Sequence, residues 1–123
     1  MVELAVAVGI LMIVNVGAFG TLLQSFDLIK SSRGSNVAMT DLEVCMEQVL
    51  AETVDAIPVE FPEGAEIPGF TELHLSGQRI TPSYPNLTGS SSTQPVLDIV
   101  LTSTWLDDRG RPRSLTLSTA QSR

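Results

Sequence analysis

The side chains best suited to catalysis or metal binding are few and scattered in this 123-residue sequence. It has one histidine, His74, and one cysteine, Cys45. His74 has no ligand-type neighbours in sequence, so a surface or edge-strand position explains it better than a catalytic or metal role. Cys45 stands beside Met46 in a helical apolar pattern and reads as a packing residue. Being alone, it rules out an intramolecular disulfide and any cysteine-based metal set. Asp98, Asp107 and Asp108 could hold a cation, but Asp107 and Asp108 lie in the turn-forming segment LDDRGRP beside Arg109, and a solvated turn accounts for them. No glycine-rich phosphate loop, HExxH, GxSxG or CxxC occurs. The expectation is a protein without metal, cofactor or enzyme activity.

Glu3 has the most unusual setting of the acids. It precedes Leu4–Leu23, in which 15 residues are hydrophobic, three are glycine and only Asn15 and Thr21 are polar. At roughly 1.5 Å per residue such a helix crosses a bilayer core of about 30 Å. A carboxylate at the lip of this run is costly unless water or a cation satisfies it. It can sit at the interface and favour the helix N-terminus by its charge. It can also pair with a positive group, such as a neighbouring chain's terminal amine, when helices pack side by side. Ala5 and Gly9 form a small-xxx-small pair that permits close helix approach. Asn15, Gly17, Gly20 and Thr21 mark the stretch where the helix is expected to loosen, whether for flexibility or as ordinary packing positions.

A cleaved secretory signal would carry a basic start and a shorter apolar segment, whereas this chain begins MVEL. A soluble core helix this long and uncharged would need a larger surrounding core than 123 residues supply. Burial in a membrane or among other helices remains. Lys30 and Arg33 follow the run, and by charge asymmetry alone they argue for a cytoplasmic C-terminal side, a conflict that a more basic segment upstream of Met1 would remove.

The elements after the run follow from its change of pattern. Residues 27–123 hold 13 of the 14 acids and all seven bases, with no basic stripe, so direct nucleic-acid binding is not expected. SSRGSN at 31–36 reads as a weak point, with Gly34 as a bend. From Val37 to Ile57 apolar residues recur at helical spacing, with Asp41, Glu43, Glu47 and Glu52 mostly opposite them, and Pro58 ends the pattern. One long helix over 2–56 would span about 80 Å. Three regions result: a hydrophobic helix over 1–26, an amphipathic continuation over 27–57, and a small β-rich head over 58–123. Within the head, 58–69 reads as irregular connection, 70–76 as a short strand and 81–95 as an exposed loop. Asn86-Leu87-Thr88 fits a glycosylation acceptor, and the Ser90–Thr93 run a linker or O-glycan site. VLDIVLTSTW and RSLTLST should pair as an antiparallel hairpin around Asp107–Gly110. Leu97, Ile99, Leu101 and Trp105 on one strand, with Leu115 and Leu117 on the other, would then cover the amphipathic helix as the head core. The fold class is α+β: a long N-terminal helix, hydrophobic then amphipathic, packed on a small C-terminal antiparallel sheet.

The opening segment MVELAVAVGILMIVNVGAFGTLL resembles the N-terminal methylation segment of type IV pilins and pseudopilins. Met1 and Val2 fall on the residues just before that family's acid, Glu3 on the acid and Gly9 on a helix glycine. The helix, loop-rich middle and strand-turn-strand ending TWLDDRGRPRSLTLST are reminiscent of minor pilins. The resemblance is strong over 1–30 and architectural over 31–123. The family's leader peptide and its first two mature residues have no counterpart here. Its helix-loosening proline is replaced by Gly20 with Gly17 and Asn15, and its frequent C-terminal disulfide is missing. The resemblance implies a leader cut by a prepilin peptidase that also methylates the new amino terminus. It implies subunits held in the bacterial inner membrane, partnered by lipid, then stacked by an assembly platform with copies of themselves or homologous pilins. The filament would be an extracellular pilus or a periplasmic pseudopilus. Glu3 would neutralise a neighbouring subunit's terminal amine and set register. The alternative is a singly anchored extracytoplasmic binding protein that does not polymerise.

Overall fold

The computed structural model describes residues 2–68, 73–87 and 95–122. One helix, α1, runs from Val2 to Leu50. A four-residue turn of helix, α2, covers Ile57–Glu60 with a proline in its first turn. Three strands follow: β1 (Arg79–Ser83), β2 (Val96–Leu106) and β3 (Pro112–Ser122). They form one antiparallel sheet in the order β1-β2-β3. The chain divides into two compact units, Met1–Arg33 and Gly34–Arg123.

In the second unit the helix buries Ala38, Asp41, Leu42, Cys45, Met46 and Val49. That spacing of three and four residues makes one stripe along the helix. β2 alternates strictly, turning Leu97, Ile99, Leu101, Ser103 and Trp105 inward. Stripe and strand meet in a single core with Val54, Ile57, Phe61, Ile67, Ile80 and Tyr84, and Leu115 and Leu117 of β3 pack against it partly buried. A long helix on a small antiparallel sheet is the architecture that the change of hydrophobic pattern predicts.

The details depart from expectation in several places. SSRGSN is helical residue by residue. A Cβ on Gly34 would meet Trp105 Nε1 at 3.7 Å, so this glycine sets helix backbone alongside the indole. The helix stops at Leu50, before Pro58, and Ala51 N donates back to Glu47 O and Gln48 O at 3.1 and 3.2 Å. Gln121 of β3 then reaches the freed carbonyls, its Nε2 donating to Leu50 O and Glu52 O at 3.5 and 3.4 Å. The strand expected over 70–76 is not formed from Leu73 to Ser76, and Phe70–Glu72 lie outside the described residues. β1 instead occupies 79–83, partly inside the segment read as loop, because Thr81-Pro82-Ser83 pair with Val100–Thr102 of β2. Pro82 is tolerated there because β1 is an edge strand. Tyr84 closes the region, donating from its hydroxyl to Phe61 O at 2.7 Å; burial, with Glu63 nearby, pushes that hydroxyl up to about 12.

β2 and β3 pair over their full lengths, from Val96 opposite Ser122 to Leu106 opposite Pro112. The turn between them is organised by Asp107. Its Oδ1 accepts from the main-chain N–H of Arg109 and of Arg111, both at 2.9 Å, and its Oδ2 from Arg111 Nε at 2.9 Å. Gly110 takes a positive φ of 70°, the left-handed conformation this turn needs. These bonds, above all the Arg111 N–H, hold the Asp107 carboxyl down at about 2. Because the folded value lies below the ordinary aspartate value of 3.8, the ionised carboxylate stabilises the turn above that pH and the contribution fades as pH falls toward 2. A carboxyl titration by NMR should therefore place Asp107 near 2, and Asp107→Asn should remove the turn's dependence on pH across that window.

Candidate functional site: the apolar helix and a buried polar clasp

Two sets of residues stand out chemically, one in each unit. The first is the apolar half of α1. Its most hydrophobic 18-residue window has a mean hydropathy of 2.2 and no buried residue, so it is long and apolar enough to cross a membrane. Every described side chain from Val2 to Arg33 is exposed within the chain. Glu3 lies in the first turn of α1 and is exposed. Ala5 follows two residues on, also exposed. A Cβ built on Gly9, Gly17 or Gly20 meets nothing within 4 Å, so each leaves an open notch on the helix surface.

Three polar residues in this half are turned back on their own helix. Asn15 Nδ2 donates to Leu11 O at 2.8 Å, Thr21 Oγ1 to Ala18 O at 2.8 Å and Ser25 Oγ to Thr21 O at 2.9 Å. Such bonds remove most of the penalty of placing these groups in an apolar medium. In the single chain Asn15–Thr21, the stretch expected to loosen, is α-helical residue by residue. Asn15 and Thr21 bond to carbonyls of the helix itself and do not draw its backbone away, so the glycines alone do not open it.

The second set is a buried clasp centred on Asp41. Its carboxylate lies on the inward stripe of the helix and is 8% exposed. Oδ1 takes a hydrogen bond from His74 Nδ1 at 2.9 Å, and Oδ2 one from Gln78 Nε2 at 3.0 Å. Gln78 Nε2 also donates to Ser103 Oγ at 3.3 Å, and Gln78 Oε1 accepts from Leu75 N at 3.0 Å. Helix, the 73–78 turn and β2 are thereby tied together through polar groups that would be costly if left unpaired. His74, most of whose side chain is exposed, serves here as a partner of Asp41. The sequence pattern puts Asp41 on the polar side of the helix, whereas the structure buries it; its spacing with Ala38, Leu42 and Cys45 on the apolar stripe is the signal that marks it. Cys45, one turn on, is buried in the same unit, and burial with the nearby Asp41 charge pushes its thiol up to about 12. It is therefore a packing group of low nucleophilicity.

The remaining predicted positions fall as follows. Leu97, Ile99, Leu101 and Trp105 are buried, and Leu115 and Leu117 are partly so. The Asn86 carboxamide pins the start of β2: Nδ2 donates to Val96 O at 3.1 Å and Oδ1 accepts from Asp98 N at 3.0 Å. Thr88 and Ser90–Thr93 lie outside the described residues. Among the described residues no group of three or more His, Cys, Asp or Glu side chains is placed to hold a metal ion. Comparison with known protein families, with curated proteins and with solved structures returned no match. What the fold supports on its own is a pilin-like architecture with one helix of membrane-spanning length.

Removing the clasp's acceptor tests its weight. Asp41→Ala should lower the unfolding free energy of the head by about 1–3 kcal/mol, the cost of stranding a buried donor, with Asp41→Asn less damaging. Denaturant unfolding followed by Trp105 fluorescence measures this; an unchanged midpoint would show that the clasp adds nothing.

Proposed function

We propose that this chain is a structural subunit of a type IV pilus or of a related secretion pseudopilus. It polymerises through the apolar half of α1. The observation that carries the reading is a helix hydrophobic on all sides, exposed from Val2 to Arg33, continuous in sequence with a helix half that builds its own small α+β head. An exposed apolar surface of this extent needs a cover, and lipid and identical helices are the two media that suit it.

On this reading the helix first spans the inner membrane and then exchanges lipid for its neighbours in the filament. The carboxylate of Glu3 meets the terminal amine of an adjacent subunit, which makes an otherwise costly buried charge tolerable. Ala5 and the notches at Gly9, Gly17 and Gly20 admit neighbouring helices at close range. The side-chain bonds of Asn15, Thr21 and Ser25 suit the same surface to both media. Assembly requires the prepilin peptidase and the inner-membrane platform, and the finished polymer is extracellular or periplasmic.

Glu3→Ala tests the reading. The variant should insert into the membrane at normal levels yet be lost from the sheared or purified filament fraction, by ten-fold or more if the ion pair is worth about 1.4 kcal/mol. Normal incorporation of Glu3→Ala would contradict the role given to this residue.

A further inference from the structure

We propose that the end of the head at which the chain enters it from the apolar helix docks on anionic lipid headgroups. The bilayer concerned is the one that holds that helix. The inference rests on membrane insertion, the first step of the function proposed above, and not on polymerisation. Packing within the head fixes which end this is. Gly34 is the first residue of the head, and a Cβ on it would stand 3.7 Å from Trp105 Nε1. Trp105 is the last residue but one of β2, so the β2–β3 turn lies at the same end.

The four described arginines of the head gather there. Arg109 and Arg111 belong to the turn, Arg113 is the ladder partner of Trp105, and Arg79 opens β1 opposite Thr104. All four are exposed. Asp107 answers only part of this charge. Its single Oδ2 is shared by Arg111 Nη2 at 2.8 Å and Arg113 Nε at 3.4 Å, and the two arginine side chains remain 55% and 44% exposed. Asp41, at the level of Ser103, is buried and held by His74 and Gln78. Glu52, Glu63 and Asp98 belong to the other end. Glu52 O meets Gln121, the ladder partner of Leu97, Asp98 follows Leu97, and Glu63 bonds Ser83 opposite Val100. A chain with a net charge of -7 thus gathers these arginines at one end of its head.

Chain connectivity identifies the occupant. The apolar run ends at Phe26 and Gly34 follows eight residues later, a tether of at most about 28 Å at roughly 3.5 Å per residue. Once the helix is inserted, the arginine end is confined near the bilayer surface at high effective concentration. The tether itself adds Lys30 and Arg33 against one acid, Asp27. Guanidinium groups match phosphate geometry, and basic residues next to a membrane span are drawn to anionic lipid, each contributing about five-fold in occupancy. The two bases after the apolar run, which by charge asymmetry alone argue for a cytoplasmic side, then belong to the same headgroup-binding set.

The test uses the full chain reconstituted in vesicles of phosphatidylcholine alone or of an equal mixture with phosphatidylglycerol. Both carry a trace of lipid with a nitroxide on its headgroup. A fluorophore is placed at Ser114→Cys, beside the arginines, or at Ala120→Cys, toward the other end; both positions are exposed, and buried Cys45 stays unlabelled. Quenching at Ser114→Cys should rise when phosphatidylglycerol is present, and quenching at Ala120→Cys should not. Roughly 1 M salt, which screens charges beyond about 3 Å, should erase the rise without any change to the chain. Replacing Arg79, Arg109 and Arg113 by Gln, with Arg111 kept for the turn, should lower the ratio of docked to undocked heads about five-fold per arginine. Flotation with phosphatidylcholine vesicles separates the two levels of the claim. A chain that does not insert overturns the membrane reading and this inference with it. A chain that inserts but shows equal quenching in both lipids, or a rise indifferent to salt, overturns this inference alone. So does a rise seen only at high protein density, where the acidic end of another head is the occupant.

Discussion

The constraint on which the rest of the structure depends is a helix surface that the chain itself leaves uncovered. About 25 cal/mol is at stake for each square ångström of apolar area left in water, and the first half of α1 is apolar around its whole circumference. No side chain between Val2 and Arg33 is buried within the chain. Everything else about this half accommodates that fact. Charges are excluded between Glu3 and Asp27. Asn15, Thr21 and Ser25 fold their polar groups onto the helix backbone, and the glycines leave notches in place of knobs. A helix in this condition is compatible with lipid or with close neighbours, and one set of residues can serve both in succession.

The second half of the same helix solves the opposite problem. It has a sheet to lean on, and its stripe from Ala38 to Val49 fills the space above β2. The small core this makes is supplemented by directional bonds that fix the irregular segments. Asp41 holds the turn carrying His74 and Gln78, Tyr84 holds Phe61, Gln121 holds the helix end and Asp107 holds the hairpin turn. A head with one free cysteine and no cross-link relies on such contacts where larger domains rely on core volume.

How much of this was legible in the sequence depended on whether the information was local. The apolar helix and the β2–β3 hairpin are carried by periodicity and turn chemistry within a few residues, and both stand where the pattern puts them. β1 was hidden, because Arg79–Ser83 is short, includes Pro82 and becomes a strand only through its pairing with β2. The helix end was placed at Pro58, yet the chain leaves the helix at Leu50, where Gln121 from the far end of the sequence meets its carbonyls. Asp41 reads as a polar-side residue because acids usually are solvated. Its burial is tolerable only because Gln78 and His74, more than 30 residues away, arrive to satisfy it. Glu3 is the contrasting case: its oddity is visible in sequence, while the partner proposed for it belongs to another chain.

The central claim is that the apolar half of α1 exchanges lipid for copies of itself. Electron cryo-microscopy of the purified assembly tests it most directly. The account predicts a filament whose axis is a bundle of Val2–Phe26 helices, in close contact near Gly9 and Gly20, with the α+β heads outside. An assembly in which these helices stay apart, sheathed in lipid or detergent and joined only through their heads, would contradict it.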